Sequence, residues 1–114
     1  MRRVEKPWGY ELIWAEAPTY VGKILHINKG QSLSLQYHRV KDETVFVQTG
    51  TLLLELENDT GVIETLTLGP SESRRILPGR RHRMTGDTDV DILEASTNHL
   101  EDVIRLEDRY GRVK

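Results

Sequence analysis

Cysteine is absent from the 114 residues, which excludes disulfides, zinc ribbons and thiol catalysis. No apolar run approaches the roughly 20 residues that a membrane-crossing helix needs. Residues 1–7 hold no apolar core of signal-peptide length. Lack of thiols fits a reducing compartment, and a cytoplasmic location is expected. Neither sign of charge dominates. A formal net charge of −2 points neither to nucleic acid nor to a membrane surface. No internal repeat, linker or low-complexity tract breaks the chain. What is present is an ordinary globular mix, 37% hydrophobic and 30% charged. The length suits one domain over residues 1–114 with a modest core.

Short β-compatible runs separated by turn signals fill most of the chain. Strands are expected at 11–14, 22–28, 32–38, 44–48, 51–57, 62–68, 74–77, 81–85 and 90–95. Asn28-Lys29-Gly30, Thr49-Gly50, Gly69-Pro70, Pro78-Gly79 and Gly86-Asp87 punctuate them. Asn58-Asp59-Thr60-Gly61 reads as a four-residue hairpin loop. Residues 98–114 are charged and not clearly periodic, and are expected to form a helical turn or an arm laid across the body. Many short strands at regular spacing indicate an all-β sandwich or barrel, and a jelly roll of two Greek keys satisfies the pattern.

One stretch carries chemistry. Gly30 is followed, after five residues, by Gln36-Tyr37-His38; four residues on comes Glu43, and six further Gly50. Leu77-Pro78-Gly79-Arg80-Arg81-His82 comes later. Gln36 and His38 are two apart, so a strand presents both on one face. Gln36, His38, Glu43 and His82 each offer one nitrogen or oxygen donor. Two imidazoles, a carboxylate and an amide oxygen suit a divalent transition metal, with zinc ahead of manganese, iron, cobalt or nickel. Calcium and magnesium prefer all-oxygen sites. His26 and His99 lie outside the spacing and read as structural or surface residues.

These spacings resemble the two motifs of the cupin superfamily, with Gln36 in place of a first histidine and Leu77 in place of a proline. A narrower resemblance runs from about residue 6 to residue 112. Lys6-Pro7-Trp8-Gly9-Tyr10-Glu11, Leu33-Ser34-Leu35-Gln36 with His38, and Arg105 to Arg112 look like the cupin part of type II mannose-6-phosphate isomerases. That part is usually fused to a mannose-1-phosphate guanylyltransferase. The resemblance implies a single-domain cupin jelly-roll β-barrel and a metal on Gln36, His38, Glu43 and His82. It also implies aldose–ketose isomerisation of a sugar phosphate and a homodimer. Glu94 and Lys23 match family positions and are candidates for the catalytic base. The alternation Val90, Ile92, Glu94 equally allows a partly buried glutamate paired with an arginine.

The chain departs from that family at Tyr37, Arg39 and Val40, at Thr44 and at Arg81, all beside the expected metal. Five arginines lie between residues 74 and 83. Arg80, Arg81 and Arg83 are candidates for binding the substrate phosphate, because guanidinium pairs its donors to phosphate oxygens. Arg81 and Arg83 flank His82, however, and on a regular strand would point away from its face. The competing reading is a solvated rim paired with Glu72 or with acids of the tail. Few aromatics accompany these arginines, which argues against nucleic acid. Two other classes stay open: a non-catalytic sugar-binding or regulatory module, and an oxygenase using His38, Glu43 and His82 as a two-histidine, one-carboxylate triad.

Overall fold

In the computed structural model, residues 1–113 are described. They form eleven strands: β1 Arg2–Lys6, β2 Gly9–Glu16, β3 Val21–Ile27, β4 Leu35–Tyr37, β5 Glu43–Thr49, β6 Leu52–Glu57, β7 Ile63–Leu68, β8 Ser73–Ile76, β9 His82–Gly86, β10 Val90–Ser96 and β11 Ile104–Glu107. The first sheet has the order β1-β2-β3-β10-β5-β8 and the second β11-β4-β9-β6-β7. Every strand pairing is antiparallel. Among the described residues there is no helix, so none is long and apolar enough to cross a membrane.

Period-two alternation puts one row of each strand between the sheets. Those inward rows change character along their length. On β3 the row is Ile27, Leu25, Lys23; on β10 it is Val90, Ile92, Glu94, Ser96; on β5 it is Val47, Val45, Glu43. All of these are buried. The register aligns them: Ile27 faces Val90, Leu25 faces Ile92 and Lys23 faces Glu94. Apolar residues therefore meet at one end of the interior and ionisable residues at the other. Leu52, Leu54 and Met84 of the second sheet complete the apolar end. Each such side chain, fully buried, contributes about 1.5–3 kcal/mol. That packing holds the polar end in place.

The turn signals act as their chemistry requires. Gly50 has a φ of 86°, and a Cβ there would lie 2.1 Å from the Asp89 carbonyl oxygen, so only glycine fits. Asn58 Oδ1 accepts hydrogen bonds from the backbone N–H of Thr60 at 2.9 Å and of Val62 at 3.0 Å, closing the β6–β7 hairpin.

Three expectations need correction. Residues 2–6 form an edge strand that charge-rich Arg-Arg-Val-Glu-Lys did not announce. The last segment forms no helical turn; it adds β11 alongside β4. The strand expected over 32–38 shrinks to Leu35–Tyr37. Ser32 instead makes an isolated bridge to Thr85, with the two hydroxyls 2.6 Å apart. Leu33 packs against the core while Ser32 and Ser34 are also buried. Such burial breaks the strict alternation of a continuous strand.

Candidate metal centre

His38 follows β4, Glu43 opens β5 and His82 opens β9, so two sheets contribute to one cluster. Their ligand atoms all lie within 4.8 Å of one another. Glu43 Oε2 is 3.4 Å from His38 Nε2, and Glu43 Oε1 is 3.7 Å from His82 Nε2. All three side chains are buried.

Backbone carbonyls fix the histidine tautomers. His38 Nδ1 lies 2.5 Å from the Asp102 carbonyl oxygen and His82 Nδ1 lies 2.9 Å from the Arg80 carbonyl oxygen. A carbonyl only accepts, so each Nδ1 carries the proton and each Nε2 keeps its lone pair. Neither Nε2 has a hydrogen-bond partner; Glu43 Oε2 is ion-paired to the Lys41 ammonium 2.9 Å away. Buried polar atoms without partners are costly. Two such imidazole lone pairs converging with the Glu43 carboxylate form a donor set that fits a divalent transition metal. Burial pushes the His82 pKa down, which favours the neutral, ligating ring.

Gln36 lines the same cavity and is the cross-strand partner of His82. Its Oε1 accepts a hydrogen bond from Ser34 Oγ at 2.6 Å. The expected fourth donor is thus beside the cluster, with its oxygen already engaged.

Around the donors runs an ion chain that the sequence did not disclose. Lys41 Nζ lies 2.9 Å from Glu43 Oε2 and 3.2 Å from Glu94 Oε2. Lys23 Nζ lies 3.8 Å from Glu94 Oε2 and 3.1 Å from Glu11 Oε2, and Lys6 Nζ lies 3.7 Å from Glu11 Oε1. Glu94 therefore pairs with lysines, not with the arginine considered above. Burial works against charge on Glu43, yet the His38 ring, Lys41 and the His82 ring hold its carboxyl well below the usual range. Burial and the neighbouring Glu43 push Glu94 up, with Lys41 and Lys23 opposing. Burial opposes charge on Lys41 as well, but Glu94 and Glu43 outweigh it and its pKa rises.

Asp102 is a second residue the motifs did not reveal. Its carboxylate accepts hydrogen bonds from the backbone N–H groups of Arg39, Val40 and Lys41 at 3.0, 2.7 and 2.9 Å. One residue thus grips the His38–Glu43 loop with its side chain and orients His38 with its carbonyl. Burial would raise its pKa, but the three N–H groups and His38 bring it to about 2 against an ordinary 3.8. A depressed carboxyl stabilises above its unfolded pKa and stops doing so as pH falls through the folded value. Asp102→Ala is therefore expected to cost the metal-free protein about 1–2 kcal/mol at pH 7. The deficit relative to the parent should shrink as pH falls from about 4 towards 2, as read by urea denaturation at stepped pH. A pH-independent deficit would assign the effect to lost packing.

The arginines of residues 74–83 lie elsewhere. Arg80 pairs with Asp59 at 2.7 Å, Arg81 with Glu57 at 3.1 Å, Arg83 with Glu55 at 2.7 Å and Glu107 at 3.4 Å, and Arg75 with Asp42 at 2.6 Å. None of them lines the cavity beside the metal cluster; its arginines are Arg105 and Arg112. The phosphate-binding expectation for Arg80, Arg81 and Arg83 is corrected accordingly. Strand parity turns Arg81 and Arg83, which flank His82, away from its face, and Arg80, which precedes β9, is held by Asp59 and the Glu57 carbonyl. Their acids are Glu55, Glu57 and Asp59 with Glu107 of the tail, whereas Glu72 accepts from Gly69 N. His26 bonds Asp91 at 2.7 Å and stacks on Tyr10; His99 bonds Thr97.

Comparison with known proteins follows this geometry. Residues 1–108 match the family described as Mannose-6-phosphate isomerase C-terminal. Mannose-1-phosphate guanylyltransferase ManC of Salmonella typhimurium is 36% identical over 118 residues, covering 98% of this chain and 23% of that protein. Xanthan biosynthesis protein XanB of Xanthomonas campestris pv. campestris is 32% identical over 117 residues, covering 97% of this chain and 24% of that protein. The chain thus spans about a quarter of the length of these curated relatives. A cupin superfamily protein from Desulfitobacterium hafniense superposes with a TM-score of 0.66 at 13% identity, covering 76% of this chain and 74% of that one. The fold is that of a cupin.

Proposed function

The chain belongs to the mannose-6-phosphate isomerase C-terminal family, and from that premise we propose that it is a metal-dependent aldose–ketose isomerase of sugar phosphates, with mannose 6-phosphate the leading substrate. One observation carries the reading. Two buried imidazole Nε2 atoms without hydrogen-bond partners converge with the Glu43 carboxylate, beside the buried Glu94, whose pKa burial pushes up. His38, Glu43 and His82 would hold the metal, with Gln36 adjacent. When bound, a divalent metal polarises a carbonyl and makes the α proton more acidic.

The remaining chemistry belongs to side chains. Glu94 lies on the cavity wall and is the base in this scheme: it takes the proton from C2 of the aldose and returns it to C1 of the enediol, while the hydroxyl proton passes from O2 to O1, giving the ketose. Lys41 places positive charge between Glu43 and Glu94, where negative charge grows in the enediolate. Lys23, ion-paired to Glu94 and Glu11, steadies the base in this scheme and does not replace it. The two-histidine, one-carboxylate donor set also serves oxygenases, but the family and the adjoining glutamate–lysine chain favour proton transfer.

The test is proton exchange. Metal-reconstituted protein incubated with mannose 6-phosphate in deuterated water should incorporate deuterium at C2 and form fructose 6-phosphate, followed by NMR. Glu94→Gln should abolish exchange while retaining metal. No exchange across a panel of sugar phosphates and verified metal loadings would sink the isomerase and leave a sugar-binding module.

A further inference from the structure

The cavity around the metal cluster is nearly balanced in charge. Lys6, Lys23 and Lys41 face Glu11, Glu43 and Glu94. Arg112 is held by Asp108 at 2.8 and 3.1 Å. Arg105 remains. Among the described residues no carboxylate lies within ion-pair distance of it, and its Nε is buried without a hydrogen-bond partner.

Strand register shows where that cation points. Arg105 is the cross-strand partner of Gln36, and Gln36 of His82. Residues directly opposite one another share a face, so all three side chains stand on the inner face of the second sheet. Two strand spacings separate Arg105 from His82, about 10 Å between backbones. The register shifts immediately after Arg105, an irregularity of the kind that re-aims a side chain. A cavity of about 330 Å³, lined by Glu101, Val103, Ile104, Arg105 and Arg112, shares Val103, Arg105 and Arg112 with the inner cavity of about 100 Å³ at the cluster. Arg105 therefore stands where a narrow reactive chamber meets a wider outer one.

We propose that Arg105 is the anchor for a phosphate monoester at the far end of the substrate, with Arg112 as a second donor already oriented by Asp108. The assignment rests on the sugar-phosphate reading above and deepens it. A phosphorylated six-carbon sugar with its carbonyl end at the cluster extends its phosphate outward along this rung, to the one cation lining the inner cavity, among the described residues, with no carboxylate at ion-pair distance. A guanidinium presents paired donors to phosphate oxygens and cannot lose its charge.

The test is binding, measured by calorimetry on the metal-loaded chain with mannose 6-phosphate, mannose and inorganic phosphate. Inorganic phosphate should compete with mannose 6-phosphate. Arg105→Met should weaken both phosphate ligands by about tenfold or more, leaving metal content and the weak binding of mannose unchanged. Titrating the parent protein with inorganic phosphate should shift the Arg105 Nε–H resonance, a readout that needs no variant. Undiminished phosphate binding by Arg105→Met, or an unmoved Arg105 resonance, would overturn the anchor. Arg105-dependent binding without C2 exchange would keep the anchor and sink the isomerase. Exchange with an unchanged KM in Arg105→Met would do the reverse.

Discussion

Replacing Lys41 with methionine is expected to destabilise the metal-free protein by about 3–5 kcal/mol, the cost of removing one partner from a buried ionic group. Lys41 is only 6% exposed, and its ammonium is shared by two carboxylates at 2.9 and 3.2 Å. Its stem is already inside, so methionine replaces most of the volume and the loss is chiefly of charge. Without it, Glu43 and Glu94 become a like-charged buried pair, and one must take a proton. The second half of the prediction separates this cause from a packing defect. A divalent metal on Glu43 would supply the missing positive charge, so the Lys41→Met deficit should shrink on metal loading. Adding Glu94→Gln to Lys41→Met should also recover stability, because the repulsion then disappears. Urea denaturation of the single and double variants, with and without metal, reads both effects. Equal deficits in all four states would show that Lys41 acts by filling space.

The spacing of His38, Glu43 and His82, which cluster in the structure, was legible because those positions follow local rules, a short strand at Leu35–Tyr37 and turns at Gly30, Gly50 and Gly79. The alternation Val90, Ile92, Glu94 of β10 was legible from period two. Lys41 was not, since a lysine in a loop is almost always solvated and only the pairing of β5 with β10 brings Glu43 and Glu94 to it. Asp102 was invisible because it acts across 61 to 64 residues of sequence, through a segment whose pattern resembles no element. The arginines show the converse error. Five of them near His82 suggested a phosphate site by number, whereas parity along the strand already argued that Arg81 and Arg83 face outward. Arg105 carried no local signal. It joins the site because β11, an unforeseen strand, lies against β4 with Arg105 opposite Gln36.

Purified wild-type chain is expected to take up about one equivalent of a divalent transition metal, and His82→Ala or His38→Ala to lose it. Loss of a single outer partner of a metal ligand costs 10–100-fold in affinity, so removal of a ligating imidazole should exceed 100-fold. Gln36→Ala is the informative control. With its oxygen on Ser34, the amide is expected to matter less than either imidazole, whereas a full fourth ligand would behave like His82. Stability supplies a readout independent of catalysis. Metal that binds only the folded state adds about 2.7 kcal/mol at a hundredfold excess over Kd. Wild type should therefore melt higher on loading with zinc, manganese, iron, cobalt or nickel, while the histidine variants should not respond. The depressed His82 pKa means that little protonation must be undone near neutrality. Uptake should weaken at acid pH, where protons compete with the metal for its ligand atoms. A wild-type protein that takes up none of the five ions, and whose melting none of them moves, would leave His38, Glu43 and His82 as a buried polar cluster on a cupin scaffold and remove the basis for metal-assisted isomerisation.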